Sequence, residues 1–475
     1  MGDRPNIVFV VMDTVRADQL DVYGGSVKTS AIKGMAKKGL VYNQAIAPGT
    51  YTVPSHISMF LGKRARDVGA IMTNQFKYSE KFTDPLRKKN VFIKRGEMTL
   101  ARKLSYLGYS TALFSNNPFL SETTGLAEGF SHVEDLWFKN NIESSKKKVK
   151  FVLNLIQNDI TRRHLIDLAY SISFMLPRSV VDSMYINLRK KLDRHFSVDS
   201  KFYSMDKGAE VTNAMVDSYL EGQNPNNQFI FLNYMEAHEG YPTNLITDEY
   251  VEQDKWLYLS KIESAEKVDY IRRAYGLRIK YLDKKIKDLL DILRKRGILE
   301  DAVVILTSDH GQAFMEHEDM YHNMFPYSEV SRVPLIIGRY VSGKQVGTAE
   351  TVDAPVSLQS LHRAIVEIGY GRYDMPDGNL ESKYVFSDHL GIVEVWDTYL
   401  LKLLKNKSEY ARRIYVTKRH FSNFASAVYY KDFKLIHYHS GDLKDQLFDL
   451  ENDPEERENV IDSNRELAHS LVRVA

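Results

Sequence analysis

The chain has 475 residues, 43% of them apolar and 27% charged, with a formal net charge of +2. This is an ordinary globular composition, and its near-neutral balance gives no electrostatic reason to expect nucleic acid as a partner. The absence of cysteine excludes disulfides and thiolate metal sites, and there is no run of 18 apolar residues to span a membrane.

The length suits one large domain with an appendage. No leader-like segment precedes the first strand, so a cytoplasmic location is expected. That first strand is Ile7 to Met12, Ile-Val-Phe-Val-Val-Met, and Asp13 follows it at once. Thr14 to Gly24 reads as a loop leaving the strand end. Arg16 in this loop either binds an anionic substrate or pairs with Asp18. Residues 30–38 predict a short helix stopped by Gly39. Next comes Thr52-Val-Pro-Ser-His56-Ile-Ser-Met-Phe-Leu-Gly-Lys63. Pro54 fits the first turn of a helix, where its missing N–H costs nothing. Thr52 then stands at or beside the N-cap, in the positive field of the helix start. Two readings are open for it: a capping threonine, or a nucleophile activated by a metal. Much later, Val303-Val-Ile-Leu runs into Thr-Ser-Asp309-His310-Gly311. A continuous apolar run suits a strand buried on both faces of a parallel sheet, and ligand groups collect at the carboxyl ends of such strands. Two hydrophobic strands that both end in Asp can converge on one divalent ion.

Asp13 after the first strand, the stretch at 52–63 and Thr-Ser-Asp-His-Gly at 307–311 together resemble the sulfatase family of the alkaline phosphatase superfamily. That family's signature is Cys/Ser-x-Pro-Ser-Arg-x-Ser-Leu-Leu-Thr-Gly-Arg, whose first residue is converted to formylglycine. Here Thr52 stands at that position, His56 replaces the first Arg, Lys63 replaces the last, and Thr14 replaces the second of two adjacent aspartates. The resemblance implies an alkaline-phosphatase-like α/β/α sandwich with a mixed, mainly parallel sheet. Alternating apolar strands and amphipathic helices point to the same α/β class.

A predicted helix at 97–107 leads to a short strand and then Asn116-Asn-Pro. The family carries an anion-contacting lysine at that strand end, which places Asn116 there; a turn-forming asparagine is the plainer reading. Residues 140–222 read as a basic, helical insertion without a family motif, a lid or an oligomer contact, with the charge run at 146–150 as a solvated face. Gln228 to Met235 is another apolar strand, and His238 beyond it matches the family's leaving-group histidine. A helix from about Ala265 to Arg296, with Ile279, Leu282, Ile286, Leu289, Leu290 and Leu293 on one face, crosses to the Asp309 strand. His322 matches a histidine of some family subgroups, and His317 is expected at the surface. Tyr327 to Ile336, the segment from Tyr430 and the tail from Gln446 resemble family stretches, so that about half the chain is covered. The expected division is a catalytic domain over 1–370, carrying the insertion, and a smaller C-terminal subdomain over 371–475.

Asp13, Asp309 and His310, with the Thr52 oxygen, form a set of mostly hard ligands for one divalent ion, Ca, Mg or Mn. Relatives with two metals need a further Asp-x-x-x-His plus another His, and no such spacing lies near the motifs, so one metal is expected. His238 or His322 serves as general acid to the leaving oxygen. Lys63, Asn116 and His56 hold the charge that develops on the transferred group. The expected substrate is a small-molecule or glycan ester of sulfate or phosphate, and homo-oligomerisation is left open. Formylglycine arises from Cys or Ser, and its hydrate expels sulfate by collapsing to the aldehyde; threonine has no such exit. The chemistry of Thr52 therefore favours phosphoryl transfer. A true sulfatase using Thr52 or metal-bound water, and a non-catalytic relative, are the alternatives.

Overall fold

The computed structural model describes residues 4–68, 92–122, 124–135, 206–239, 265–322, 325–372, 380–391, 424–439, 441 and 443–475. The basic run at 146–150 and most of the expected insertion lie outside them.

Nine strands build the central sheet. They are β1 (Asn6–Met12), β2 (Leu40–Tyr42), β3 (Ser110–Ser115), β4 (His132–Asp135), β5 (Gln228–Tyr234), β6 (Asp301–Thr307), β7 (Leu335–Val341), β8 (Lys344–Val346) and β9 (Glu350–Val352). Their order is β9-β2-β7-β6-β1-β5-β3-β4, with β8 paired to β7. The run β6-β1-β5-β3-β4 is parallel throughout, and β7 lies antiparallel to β6, β2 and β8. β1 and β5 are buried at every position, as the uninterrupted apolar runs require of a sheet covered on both faces.

Each face has its own core. On one side Val8, Val10, Ile230, Leu232, Val304 and Leu306 pack under the helices α1 (Ser30–Ala36), α4 (Ala209–Leu220) and α5 (Ala265–Lys295). On the other, Ile7, Phe9, Phe229, Phe231 and Ile305 pack under α2 (Thr52–Leu61), α3 (Leu100–Tyr106) and α6 (Leu361–Gly369). The sides alternate along each strand because strand side chains alternate with period two. Helix α4 lies within the range assigned to the insertion, yet it packs on this sheet and on α5 as part of the core.

A four-stranded antiparallel sheet follows: β10 (Val385–His389), β11 (Ala425–Tyr430), β12 (Phe433–Tyr438) and β13 (Gln446–Asp449), backed by α7 (Arg465–Val472). This is the smaller α+β unit. It is tied to the segment after α2 by Arg64, which grips Asp388 at 2.6 and 3.0 Å, and to the turn at Ser328 by the buried Lys434–Glu456 pair, whose carboxylate also accepts from Ser328 N and Oγ. Among the described residues no helix is long and apolar enough to cross a membrane.

Candidate active site

Three parallel strands, β5, β1 and β6, end side by side, and their ends supply the site. Ser308 staples two of them: its Oγ donates to Met12 O at 2.5 Å and accepts from Val15 N at 2.9 Å. Asp13 N bonds Tyr234 O, joining the third. Thr14 sits at φ 65°, a left-handed conformation that is strained for a β-branched residue and characteristic of functional turns. It is held there by Tyr275, whose hydroxyl donates to Thr14 O at 2.7 Å and accepts from Arg16 N at 2.9 Å.

Helix α2 delivers Thr52. Tyr51 occupies the N-cap, Thr52 is the first helical residue, and no side chain caps the helix start, so the capping reading of Thr52 is not what this structure contains. Ser55 Oγ donates to Asp309 O at 2.7 Å, which pins the helix start to the end of β6. Gly49 makes the approach possible, since a Cβ there would stand 2.6 Å from Pro54 Cγ and 2.9 Å from Ser55 N.

Asp13, Asp309 and His310 are fully buried, and one ligand atom from each lies within 4.8 Å of the others. His310 Nε2 is 3.8 Å from Asp13 Oδ1 and 3.5 Å from Asp309 Oδ2. Neither of those two oxygens has a hydrogen-bond partner among the described residues. Burial, then the neighbouring Asp309 charge, pushes the Asp13 carboxyl up to about 8. Burial pushes Asp309 up to about 7. Two desolvated carboxylates facing one another are costly as anions, and a divalent cation between them, with an imidazole as third ligand, removes that cost. The donor set fits such an ion.

Asn117 connects this cluster to Thr52. Its Nδ2 donates to Asp13 Oδ2 at 2.9 Å and to Thr52 Oγ1 at 3.3 Å, while Phe119 N holds its Oδ1 at 3.0 Å. The Thr52 hydroxyl also lies close enough to the Asp309 carboxyl to favour its charged form.

Beside the cluster stands a second group. His322 Nδ1 is 3.0 Å from Gln312 Oε1 and 3.2 Å from Glu239 Oε2. His238 Nδ1 is 3.2 Å from the same Glu239 oxygen. The His322 ring lies 4.6 Å from that of His310 and 4.9 Å from that of His238. Lys207 Nζ donates to His238 O and, at 2.8 Å, to Glu239 O.

Thr52, Asp13, Asp309, His310, His322 and His238 are therefore gathered in one place, with His56 beside them, its Nδ1 3.6 Å from Asp309 Oδ2; Asn116, Lys63 and Arg16 make their contacts elsewhere. Asn116 faces the other way, donating to Lys207 O at 2.9 Å and accepting from Thr212 Oγ1 at 3.3 Å; its neighbour Asn117 is the amide that contacts Asp13 and Thr52. Lys63 is exposed just beyond the far end of α2, about 15 Å from Thr52 at 1.5 Å rise per residue. Arg16 is buried in ion pairs with Asp18 and Glu316 and donates to Gln312 O at 3.0 Å. His56 donates through Nδ1 to Thr52 O at 2.8 Å, and its ring packs on Phe60 and Phe231. Burial pushes its pKa down to about 3. His317, expected at the surface, is half-buried: it stacks on Tyr327 at 3.8 Å and bonds Glu329 at 2.7 Å.

The family model described as Sulfatase matches residues 5–368. An N-acetylglucosamine-6-O-sulfatase of Bacteroides thetaiotaomicron is 21% identical over 96% of this chain and 82% of its own length. Among solved structures, the phosphonate monoester hydrolase of Agrobacterium radiobacter superposes with a TM-score of 0.62 at 16% identity, covering 99% of this chain and 94% of that one. A structure solved in complex with its substrate D-glucosamine-2-N,6-O-disulfate gives 0.62 at 15% identity, covering 99% and 96%. At these identities the superpositions establish the alkaline-phosphatase-like sulfatase fold.

Proposed function

Because the chain belongs to the sulfatase family of hydrolases, we propose that it is a metal-dependent phosphoester hydrolase with Thr52 as its nucleophile. The observation that carries this reading is the placement of Thr52 Oγ1. It sits in the first turn of α2, beside the Asp309 carboxyl and within reach of the Asn117 amide that also holds Asp13.

Asp13, Asp309 and His310, with Thr52 Oγ1, would hold one divalent ion, Ca, Mg or Mn; when bound it polarises the ester and lowers the pKa of the hydroxyl. The other steps belong to the chain's own groups. Thr52 Oγ1 forms a bond to phosphorus as the bond to the leaving oxygen breaks. Asn117 keeps the attacking oxygen aligned with its neighbours. His322 or His238, both oriented by Glu239, gives a proton to the leaving oxygen. Water then hydrolyses the phosphothreonine and restores the hydroxyl. Threonine supports the phosphoryl class, since it lacks the aldehyde route that releases sulfate from formylglycine. The names of the Bacteroides relative and of the disulfated-glucosamine complex favour a second reading, a sulfate ester on a glycan, hydrolysed through Thr52 or by metal-bound water.

The test is turnover of aryl phosphate, phosphodiester and aryl sulfate by the chain loaded with Mn²⁺, Mg²⁺ or Ca²⁺, together with mass analysis of the acid-quenched Thr52 peptide. Phosphate turnover with a phosphorylated Thr52 peptide is expected. Thr52→Ala should lose several orders of magnitude in kcat, and Thr52→Ser should keep substantial activity. Near-wild-type turnover by Thr52→Ala would exclude the threonine as nucleophile.

A further inference from the structure

The helix that carries Thr52 is held at both ends by one strand of the smaller unit. Ahead of α2, residues 48–50 run parallel to the end of β10 and pair with Asp388. Asp388 N donates to Pro48 O at 3.0 Å, and Thr50 N donates to Asp388 O at 3.3 Å. Behind α2, Arg64 grips the carboxylate of the same Asp388. The next residue of β10, His389, adds a side-chain contact to the leading segment, with Nδ1 3.0 Å from Thr50 Oγ1.

This contact is fully enclosed. Thr50 and His389 are both 0% exposed, and Tyr51 is 5% exposed. The His389 ring meets Tyr51 edge to face at 6.4 Å and Phe325 at 5.6 Å, so it is packed from two sides. A buried hydroxyl–imidazole hydrogen bond is costly to leave unmade, which gives Thr50 one place to stand. Tyr51, which follows, is fully extended at φ −162° and ψ 171°, and no side chain caps the helix that starts after it. An extended residue has no slack, so a shift of Thr50 is passed to Thr52. The tolerance there is narrow, because Thr52 Oγ1 lies 3.3 Å from Asn117 Nδ2 and beside the Asp309 carboxyl. A displacement of about 1 Å at a reacting group can cost about 100-fold in rate.

We propose that His389 is a positioning residue for the reaction: through Thr50 it sets the start of α2, so that the smaller unit fixes where Thr52 attacks. The inference rests on the reading of Thr52 as nucleophile. His389 acts through Thr50 and Tyr51 and not on the ester itself. The same strand that closes the interface between the two units thereby aligns the nucleophile.

The experiment measures kcat and KM of the full chain on an aryl phosphate at matched Mn²⁺ occupancy, in the wild-type and Thr52→Ala backgrounds. Thr50→Val removes the hydroxyl with little change of shape, and His389→Leu removes the ring nitrogen. Each should lower kcat by about 100-fold with little change in KM, and the double variant should lose no more than either alone. His389→Asn, whose amide can reach Thr50 in place of Nδ1, should recover most of the loss. In Thr52→Ala neither substitution should slow the residual turnover further, whereas a merely structural role would slow both backgrounds alike. If His389→Leu fails to fold by circular dichroism, Thr50→Val carries the comparison. A kcat for Thr50→Val within twofold of wild type overturns the proposal, as does an equal loss in the Thr52→Ala background. Near-wild-type turnover by Thr52→Ala would remove the nucleophile reading and the positioning role with it. An inactive Thr52→Ala beside a fully active Thr50→Val would remove the positioning role alone.

Discussion

Replacing Asn117 tests the site at the residue that joins its two halves. The side chain is 2% exposed, donates to Asp13 Oδ2 and Thr52 Oγ1, and accepts from Phe119 N. In Asn117→Ala the carboxylate loses a hydrogen bond from a neutral amide, an interaction with a charged group worth about 1.5–3 kcal/mol. If that bond serves alignment of the nucleophile with the reacting ester, the same energy appears in the barrier, and kcat falls by about 10- to 150-fold. Asn117→Asp keeps the shape and the acceptor to Phe119 but sets a third carboxylate against Asp13 and Asp309. Its defect should exceed that of alanine, because like charges in a buried site repel strongly. The assay is kcat and KM on an aryl phosphate, per folded chain at matched metal occupancy. A kcat within twofold of wild type for Asn117→Ala, or a faster Asp variant than Ala variant, would refute the bridging role.

Stripping the metal should make stability fall with rising pH. Asp13 and Asp309 carry folded-state values of about 8 and 7, above the unfolded carboxylate range, so their contribution is fully present below about pH 4 and is lost as pH rises to about 8; the Tm gain on adding Mn²⁺ should therefore grow between those limits, and a pH-independent gain would contradict this. Gly49→Ala drives a Cβ into Pro54 and the Ser55 amide, shifting the start of α2, so kcat on an aryl phosphate should drop by more than the folded fraction measured by circular dichroism. His317 is opposed by burial, yet the Glu329 hydrogen bond and charge, with Glu456, leave its pKa raised above the usual histidine value. Its stabilisation is present below about pH 6.5 and disappears as pH rises through the folded value; the Tm difference between wild type and His317→Gln should be larger at pH 5.5 than at pH 8.5, and equal differences would deny the ion pair.

The parts of this molecule that were legible in the sequence are those in which local pattern and tertiary position coincide. Continuous apolar runs mark strands covered on both faces; Asp13 directly follows one of them and Asp309 and His310 come just past Ser308 at the end of the other, so order along the chain already places them at one edge of the sheet. The misreadings arise where one step of chain changes direction or partner. Asn116 and Asn117 are adjacent, and only the exit of the chain from β3 decides which amide faces Asp13. Arg16 has Asp18 nearby in sequence, but its burial is completed by Glu316, 300 residues on. Glu239 carries no motif, because its partners are His238 next to it and His322, delivered by a separate loop. That loop turns through three non-glycine residues with positive φ, Met315 at 70°, Glu318 at 60° and Tyr321 at 72°. Each such turn costs free energy that the surrounding packing must offset. Helical spacing in the sequence does not reveal a group assembled from one strand end and one strained loop.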